Sequence, residues 1–401
     1  MLRHASSGDS AGQKLRLAFV TGGDLLMWGG GEKYAVEMAN ALPSFSVDLF
    51  SIVDQSRRRM SLAEVDALAG HNLIYFEVVR PLGGGLSLPL TASSLKAILK
   101  LREFDVVYCA NNSLLAFLIP WSKITRRKLV FGVHDPSFLD GLGSRAAGTA
   151  AHHSRPRLGR LIRALLLQLT PCIRVQNAED YNVVRAIRGE HCLHLIPDSR
   201  ISVGSGPSNA PEMGFTVLFV GRLAIHQKGI DLLCEIAARV IERHPDIRFR
   251  IVGSGEDGEK LVRDLARRYP ANIDWLGFLS ETRLRGEYQS ASMLVCPSRD
   301  ETLGLTVLEA LSYGLRVVAF SNRGSREIVT SSAHGRLITE YKVEPFVDAI
   351  VELYHLWKGD RSGYLGGRDS IIDAIEVRFS RERVVADLER MLLPSPSPSP
   401  D

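Results

Sequence analysis

Short apolar runs alternating with helical stretches are the feature that most constrains the fold of this chain. In the first half, the runs lie at residues 15–20, 47–52, 72–79, 105–109 and 128–133. Between them, residues 32–42 and 93–101 carry apolar side chains at helical spacing. Strands that alternate with helices favour a parallel, doubly wound sheet with helices on both faces. We therefore predict an α/β fold.

The same alternation begins again after residue 213. Apolar runs lie at residues 215–220, 249–252, 273–276, 293–295 and 316–320, and helical patterns at 230–243 and 346–357. Residues 202–213 are rich in Gly, Ser and Pro and lack apolar periodicity, which predicts a linker. We expect an N-terminal domain at residues 15–200, with a helix at 380–393 packing back on it, and a C-terminal domain at 214–379. Residues 1–14 and 394–401 are expected to be disordered tails.

Composition excludes several functional classes. The formal net charge of +4 comes with no basic motif interleaved with aromatic residues, which argues against nucleic-acid binding and favours an acidic substrate or an anionic surface. The five cysteines are scattered and form no C-x-x-C pair, which argues against a zinc site and fits a reducing compartment. Residues 1–14 do not resemble a secretory signal, and no apolar run is long enough to span a bilayer. We expect a cytoplasmic protein.

Two carboxylates follow the apolar run at residues 293–295. Glu301 falls in the loop after this predicted strand, and Glu309 falls one to two turns into the next helix. Gly304 would let the backbone approach a ligand, and the free N–H groups that open the helix would form an anion site. The expected ligand-binding loop comprises Thr302, Leu303, Gly304, Leu305 and Thr306. Carboxylates accept hydrogen bonds from sugar hydroxyls, so the pattern indicates a sugar joined to a phosphate. The alternative is two ordinary charges near a helix N-terminus.

A second phosphate-type signal follows the strand predicted at residues 215–220. Arg222 and Lys228 flank a turn that is bounded by Gly221 and Gly229. The two cations could converge on one diphosphate, Arg as a bidentate fork and Lys as a point charge. Unrelated surface cations are the alternative. Gly253 ends the next predicted strand and is expected to line the same crevice.

Two features of the first half also lie at predicted strand ends. Gly30 and Gly31 belong to a glycine-rich loop whose backbone N–H groups could face a pyrophosphate, although the loop does not fit G-x-G-x-x-G. A loop without function is the alternative. His134 directly follows the run at residues 128–133, at the edge where open α/β sheets bind ligands. A turn capped by His134 and Asp135 is the alternative.

Residues 155–169 form a basic amphipathic pattern. The apolar positions are Leu158, Leu161, Ile162, Leu165 and Leu169, and the basic positions are Arg157, Arg160 and Arg163. We expect the apolar face to pack on the core and the basic face to meet solvent. The alternative is an interfacial helix that contacts anionic lipids weakly.

These motifs resemble the retaining glycosyltransferases of family four, which have the two-domain GT-B fold. The family pattern of Pro-Ser, Glu, seven residues, Glu-Ala, a small residue and Gly is matched from Pro297 to Gly314. Its pattern of Gly-Arg, five residues and Lys-Gly is matched from Gly221 to Gly229. Leu303 departs from the family, which usually has an aromatic or other bulky residue at this position. The resemblance extends over roughly residues 15–393.

The resemblance implies two Rossmann-like domains with parallel sheets that face across a cleft, and a C-terminal helix that returns to the first domain. It implies a nucleotide-sugar donor on the second domain and an acceptor on the first. The residues that match the family's catalytic positions are His134, Arg222, Lys228 and Glu301. The backbone at Leu279 matches the position that holds the nucleobase. We expect Glu309 to accept hydrogen bonds from the ribose and Glu301 from the sugar ring.

The expected reaction moves a sugar from a UDP- or GDP-sugar to a glycan or lipid-linked acceptor, with retention of anomeric configuration. Surface polysaccharide, lipopolysaccharide or glycolipid would be the product. The sequence contains no Asp-x-Asp motif, so we expect no metal and no cofactor, with Arg222 and Lys228 meeting the leaving-group charge. One alternative is a nucleotide-sugar epimerase on the same fold, which needs acid–base groups on both sides of the sugar ring. The other is a catalytically inactive nucleotide-sugar-binding protein.

Overall fold

The computed structural model describes residues 14–25, 30–52, 72–77, 90–142, 157–199, 214–255 and 257–394. The predicted linker at residues 202–213 lies outside these ranges, as do the predicted tails apart from residues 14 and 394. Within the described ranges, no helix combines the length and the apolar character that crossing a bilayer requires.

The first sheet has seven strands among the described residues. They are β1 (Leu15–Val20), β2 (Phe45–Ile52), β3 (Leu73–Phe76), β4 (Val106–Cys109), β5 (Lys128–Gly132), β6 (Cys172–Val175) and β7 (Leu193–Leu195). Their order across the sheet is β3-β2-β1-β4-β5-β6-β7, and β1 to β5 pair in parallel. Every residue of β4 is buried, because helices cover both faces of a sheet of this type.

The helices of this part are α1 (Gly30–Ala41), α2 (Ala92–Lys100), α3 (Leu115–Thr125), α4 (Arg157–Leu169) and α5 (Ala178–Arg188). Helix α2 begins with a capping box, in which the Thr91 side chain accepts from the Ser94 N–H and the Ser94 side chain contacts the Thr91 backbone. Helix α5 begins after Asn177, whose side chain accepts from the Asp180 N–H.

The second sheet has six strands among the described residues, and every neighbouring pair is parallel. They are β8 (Thr216–Val220), β9 (Arg248–Val252), β10 (Ile273–Gly277), β11 (Met293–Cys296), β12 (Arg316–Phe320) and β13 (Gly335–Ile338), in the order β10-β9-β8-β11-β12-β13. The helices are α6 (Ile225–Lys228), α7 (Ile230–Arg243), α8 (Glu259–Arg268), α9 (Glu281–Ser290), α10 (Leu305–Ser312), α11 (Arg323–Ile328), α12 (Val343–Gly359), α13 (Arg361–Gly366), α14 (Arg368–Phe379) and α15 (Arg381–Leu392).

Two apolar clusters cover the two faces of the second sheet. Val217 and Phe219 of β8 belong to one cluster, together with Ile236 of α7. Leu218, between them, belongs to the other cluster, together with Leu308 of α10. Side chains alternate along a strand, so a strand covered on both faces must be apolar throughout. This explains the continuous apolar runs in the sequence.

Contacts divide the chain into two compact units. The first unit holds residues 1–132, 169–173 and 388–401, and the second holds residues 133–168 and 174–387. In the first unit, Lys128 Nζ donates to the Met391 carbonyl at 2.6 Å, and Glu389 Oε1 accepts from the Ser44 N–H at 2.8 Å. Residues 388–394 therefore pack with the first sheet, as expected for a returning C-terminal helix, whereas residues 380–387 of the predicted segment group with the second unit. The domain boundaries at residues 200 and 214 stay a prediction.

Candidate active site

The strand order of the second sheet locates its binding edge. Strands β8 and β11 are neighbours, and the chain runs from β8 outward through β9 and β10 before it returns to β11 and continues through β12 and β13. Ligands of open α/β sheets bind at the carboxyl ends of the strands where this reversal occurs. The loop after β8 carries Arg222, and the short helix α6 that follows it ends at Lys228, while the loop after β11 carries Glu301. The topology therefore brings the two predicted motifs to one point.

Lys228 and Glu301 are in direct contact. Lys228 Nζ lies 2.6 Å from Glu301 Oε1, and the two side chains are only 15% and 9% exposed. A pair so little hydrated holds both side chains in fixed positions, because separating the charges would leave each one poorly solvated. The sequence predicted that both residues meet a ligand, but it did not predict that they pair with each other.

Arg222 lies on the same turn and has a different environment. Its side chain is exposed, and its Nη2 donates to Gln227 Oε1 at 2.8 Å. The two cations of the predicted clamp therefore differ, since Lys228 is half-buried and paired with a carboxylate while Arg222 extends into solvent.

The loop that carries Glu301 is anchored on several sides within the second unit. The Gly324 N–H donates to the Glu301 carbonyl at 3.0 Å. Asn177 Nδ2 donates to the Thr302 carbonyl at 2.7 Å, and Thr302 Oγ1 donates to the His134 carbonyl at 2.9 Å. These bonds bring His134 to the residue that follows Glu301, so the structure unites two sites that the sequence predicted separately.

The rest of the predicted binding loop leads into α10. Gly304 has φ +88°, a left-handed conformation that glycine adopts without strain, and it directly precedes the helix. Leu303 is buried in an apolar cluster, whereas Leu305 and Thr306 are half-buried in the first turn of the helix.

Glu309 has a buried partner that sequence reasoning missed. Its Oε2 accepts a hydrogen bond from the Tyr288 hydroxyl at 2.6 Å, and both residues are buried. Burial and the nearby Glu309 charge raise the pKa of Tyr288 well above its ordinary value, so the phenol keeps its proton and donates. Tyr288 also stacks on Tyr313, with ring centroids 5.3 Å apart. Tyr288 belongs to α9, a helix that the sequence pattern did not predict.

Gly253 and Leu279 lie at the ends of β9 and β10. A Cβ on Gly253, whose φ is +139°, would lie 1.8 Å from the Gly221 carbonyl oxygen, so packing between the loops after β9 and β8 requires glycine here. Leu279 is half-buried against the same apolar cluster as Leu303. The predicted contact of its backbone with a nucleobase stays a prediction.

In the first unit, the corresponding reversal of strand order lies between β1 and β4. Asn111, which follows β4, donates through Nδ2 to the Gly22 carbonyl at 3.0 Å and so joins the loops after these two strands. Gly30 and Gly31 open α1 at the end of the loop after β1. The backbone role predicted for these two glycines stays a prediction.

His134 belongs to a chain of polar side chains. Gln176 Nε2 lies 2.7 Å from His134 Nδ1 and 3.1 Å from each carboxylate oxygen of Asp198. Arg174 Nη2 donates to Asp198 Oδ1 at 2.7 Å. Burial lowers the pKa of His134 to about 4, although the Asp198 charge acts in the opposite direction. The imidazole is therefore neutral near pH 7.

One guanidinium, that of Arg323, meets three carboxylates. It contacts Asp180 Oδ1 at 2.9 Å, Asp140 Oδ1 at 3.0 Å and Asp300 Oδ1 at 3.3 Å. Burial raises the pKa of Asp300 to about 7 despite Arg323, and the charges of Asp140 and Glu301 act in the same direction as burial. The network fixes the residue next to Glu301. Sequence reasoning missed it because the four residues are far apart in the chain.

The expected core packing of α4 is wrong. Leu158, Leu161 and Leu165 are 67%, 68% and 52% exposed, and Ile162 and Leu169 are also exposed. Arg163 does not lie on a solvated basic face, since its Nη2 donates to the Asp140 carbonyl at 2.8 Å. Helical spacing identifies an apolar face, but it does not reveal what covers that face.

The fold and the switch-point site define the class of protein. The two parallel, Rossmann-like sheets are those of GT-B glycosyltransferases, as predicted. The chain is similar to the crystal structure of Anabaena Alr3699/HepE in complex with UDP and glucose, with a TM-score of 0.71 and 17% sequence identity over 94% of this chain and 99% of that one.

Sequence comparisons identify the family. Residues 214–355 match the model of glycosyl transferases group 1, and residues 28–178 match the model of Glycosyltransferase Family 4. The chain belongs to this glycosyltransferase family, which confirms the resemblance of its motifs.

Two curated relatives match part of the chain. An uncharacterized glycosyltransferase of Haemophilus influenzae is 34% identical over 137 residues, which are 34% of this chain and 38% of the relative. D-inositol 3-phosphate glycosyltransferase of Kribbella flavida is 33% identical over 152 residues, which are 35% of this chain and 36% of the relative. The matches therefore span well under half the length of each relative.

Proposed function

We propose that this protein transfers a sugar from a nucleotide-diphosphate sugar to an acceptor hydroxyl, with retention of anomeric configuration. The contact between Lys228 and Glu301 carries the proposal. A cation suited to a diphosphate and a carboxylate suited to sugar hydroxyls lie 2.6 Å apart at the point where the strand order reverses. A ligand with both chemical groups satisfies both side chains.

The leaving diphosphate gains charge as its bond to the sugar breaks. Lys228, Arg222 and the N–H groups that open α10 after Gly304 are the positive groups proposed to stabilise it. The sequence has no Asp-x-Asp motif that would hold a divalent ion. We therefore include metal independence in the proposal.

Retention requires either a covalent sugar–enzyme intermediate or attack by the acceptor on the same face of the sugar from which the leaving group departs. We propose the second course, because Glu301 pairs with Lys228 and Glu309 accepts from Tyr288, and neither arrangement is that of a nucleophile. In this step the bond from the anomeric carbon to the phosphate oxygen breaks. The acceptor oxygen bonds to that carbon on the same face, and its proton passes to the departing phosphate.

The donor is proposed to be a UDP- or GDP-sugar. The structural relative from Anabaena was solved with UDP and glucose, which favours a uridine nucleotide. Glu309 would accept hydrogen bonds from the ribose, and backbone groups near Leu279 would hold the base. Both residues lie in the second unit with Lys228 and Glu301.

A lipid-linked acceptor at an anionic membrane surface is part of the proposal. Three exposed leucines of α4, Leu158, Leu161 and Leu165, offer apolar side chains to an interface. Arg157 and Arg160 on the same helix are also exposed and would attract anionic headgroups. This surface favours glycolipid or lipopolysaccharide synthesis, with surface polysaccharide as the third candidate product.

The test begins with thermal stabilisation by a panel of UDP-, GDP- and ADP-sugars, because a ligand at one hundred times its dissociation constant adds about 2.7 kcal/mol. The stabilising donor is then incubated with candidate acceptors, with and without EDTA, and the anomeric configuration of the product is read by NMR. An α-linked product from an α-linked donor, formed equally in EDTA, is expected. Isomerisation of the donor sugar without an acceptor would identify an epimerase, and binding without any turnover would identify an inactive binding protein.

A further inference from the structure

We propose that Arg174, Asp198 and Gln176 fix His134 as a neutral ring with its hydrogen on Nε2, so that His134 positions substrate as a hydrogen-bond donor and not as a base. That His134 meets substrate rests on the proposed function. The proton position itself follows from the contacts within the second unit.

Asp198 is held by a buried guanidinium. Arg174 Nη2 donates to Asp198 Oδ1 at 2.7 Å, and the two side chains are 1% and 5% exposed. The Arg174 guanidinium is itself held by the carbonyls of Ile196 and Pro197, at 2.8 and 2.9 Å. With the guanidinium donating to it, the Asp198 carboxylate presents acceptor oxygens to its other neighbours.

Asp198 in turn fixes the orientation of the Gln176 amide. The end of this amide that faces His134 also lies 3.1 Å from both oxygens of Asp198. If that end were the amide oxygen, two acceptors would face each other with no hydrogen between them. It is therefore the NH₂ group.

The Gln176 amide determines which ring nitrogen of His134 carries the hydrogen. Nδ1 lies 2.7 Å from the Gln176 NH₂ group, which has no lone pair to offer, so Nδ1 must accept. A neutral imidazole that accepts at Nδ1 carries its hydrogen at Nε2. Protonation of Nδ1 would set two donors against each other. Arg174 and burial also oppose the charged ring, whereas Asp198 is the charge that favours it.

The consequence concerns the chemistry of transfer. With the Nδ1 lone pair engaged and a hydrogen on Nε2, His134 has no site that takes the proton of an acceptor hydroxyl. The Nε2–H group can donate to a substrate oxygen. His134 lies next to the loop that carries Glu301, because Thr302 of this loop donates to the His134 carbonyl. This agrees with a reaction in which the departing phosphate receives the proton.

The direct test is long-range ¹⁵N NMR of the histidine rings in the labelled full chain, with His134 assigned from the signal that is lost in His134→Asn. We expect the Nε2–H pattern at His134, unchanged between about pH 5 and 8, the range in which an ordinary histidine titrates. A hydrogen on Nδ1, or titration near the ordinary pKa, would overturn the inference.

Gln176→Met tests the role of the amide, because it keeps the side-chain length and removes the donor. We expect Nδ1–H rings to appear at His134, while the matched control Gln168→Met, on the exposed surface of α4, leaves the signal unchanged. An unaltered Nε2–H signal in Gln176→Met would refute the relay. If that variant does not fold, the wild-type signal still decides the proton position.

These spectra need no turnover, so they do not depend on the proposed reaction. In a working assay, we expect kcat/KM of the wild type to show no inflection from His134 between about pH 5 and 8. We expect Gln176→Met to lose about tenfold, because the imidazole is no longer held in the Nε2–H form. An acidic limb in the wild-type profile that vanishes in His134→Asn would make His134 a base and would overturn the inference. Loss of all transfer activity with the Nε2–H signal intact would instead count against the proposed function alone.

Discussion

Glu301→Gln should bind a free nucleoside diphosphate more tightly than the wild type, although it should catalyse transfer poorly. In the structure, Lys228 is held by Glu301 at 2.6 Å, so a diphosphate that binds Lys228 must compete with this carboxylate. The substitution keeps the shape of the side chain and removes the competing charge. It also removes an anion that repels the diphosphate.

The magnitude follows from the geometry of the pair. At 2.6 Å the Coulomb attraction is roughly 6 kcal/mol at an effective dielectric constant of about 20, before desolvation is subtracted. Exposed ion pairs retain at most about 1 kcal/mol, and this pair is largely shielded from water, so we take a net value of about 1–2 kcal/mol. The dissociation constant of the diphosphate should therefore fall about tenfold. Turnover should fall on the order of a hundredfold, because the sugar loses an acceptor that orients it.

Calorimetric titration with UDP and GDP measures the first effect, and initial rates at saturating donor measure the second. Glu340→Gln is the matched control, since Glu340 is exposed and pairs with Lys342. In Lys228→Met, the added Glu301→Gln substitution should give little further gain in affinity, because most of the effect acts through Lys228. Weaker UDP and GDP binding in Glu301→Gln, or an equal gain in both backgrounds, would refute this reasoning.

Three further predictions test other parts of the site. Because burial raises the pKa of Asp300 to about 7, the folded state keeps a proton that the unfolded chain releases at lower pH, so stability should fall as pH rises from about 4 to about 7. Thermal unfolding of Asp300→Asn should lack this fall, and equal pH profiles would contradict it. Tyr288→Phe removes the hydroxyl that donates to Glu309 and should cost about 1–2 kcal/mol in urea unfolding. Tyr269→Phe is the control, because the Tyr269 hydroxyl bonds to Glu242 at the exposed surface, and an equal loss in both variants would contradict the role of the Tyr288 hydroxyl. Leu161→Ser with Leu165→Ser should reduce cosedimentation with anionic vesicles severalfold, and retention of full binding would exclude α4 as the contact.

The local pattern of the sequence determined the strands and the class of fold. Apolar runs such as Leu15–Val20 and Arg316–Phe320 correspond to strands with the same bounds. Their prediction succeeds because a strand that is buried on both faces must be apolar at every position. Strand β13 and several helices were missed, since their apolar residues are few or lack a clear period; these helices are α3, α8, α9, α11, α13 and α14.

The sequence also placed Arg222, Lys228 and Glu301 at strand ends, since residues directly after an apolar run lie at the carboxyl edge of a parallel sheet. Only the tertiary structure decided which of them meet. The contact between Lys228 and Glu301 joins the segments that follow β8 and β11, two strands that are adjacent in the sheet and far apart in the chain. Hydrogen-bond partners depend on distance and direction in space, and spacing along the chain does not report these.

The same reason accounts for the partners that remained hidden. Tyr288 reaches Glu309, Gln176 reaches His134, and Arg323 reaches Asp300, and each pair comes from different elements. Helix α4 is the opposite case. The sequence pattern predicted its apolar face, but it did not predict that this face is exposed. A sequence pattern identifies the apolar faces and the polar groups of each segment. The packing of the whole chain determines whether those faces are buried and which partners those groups bond.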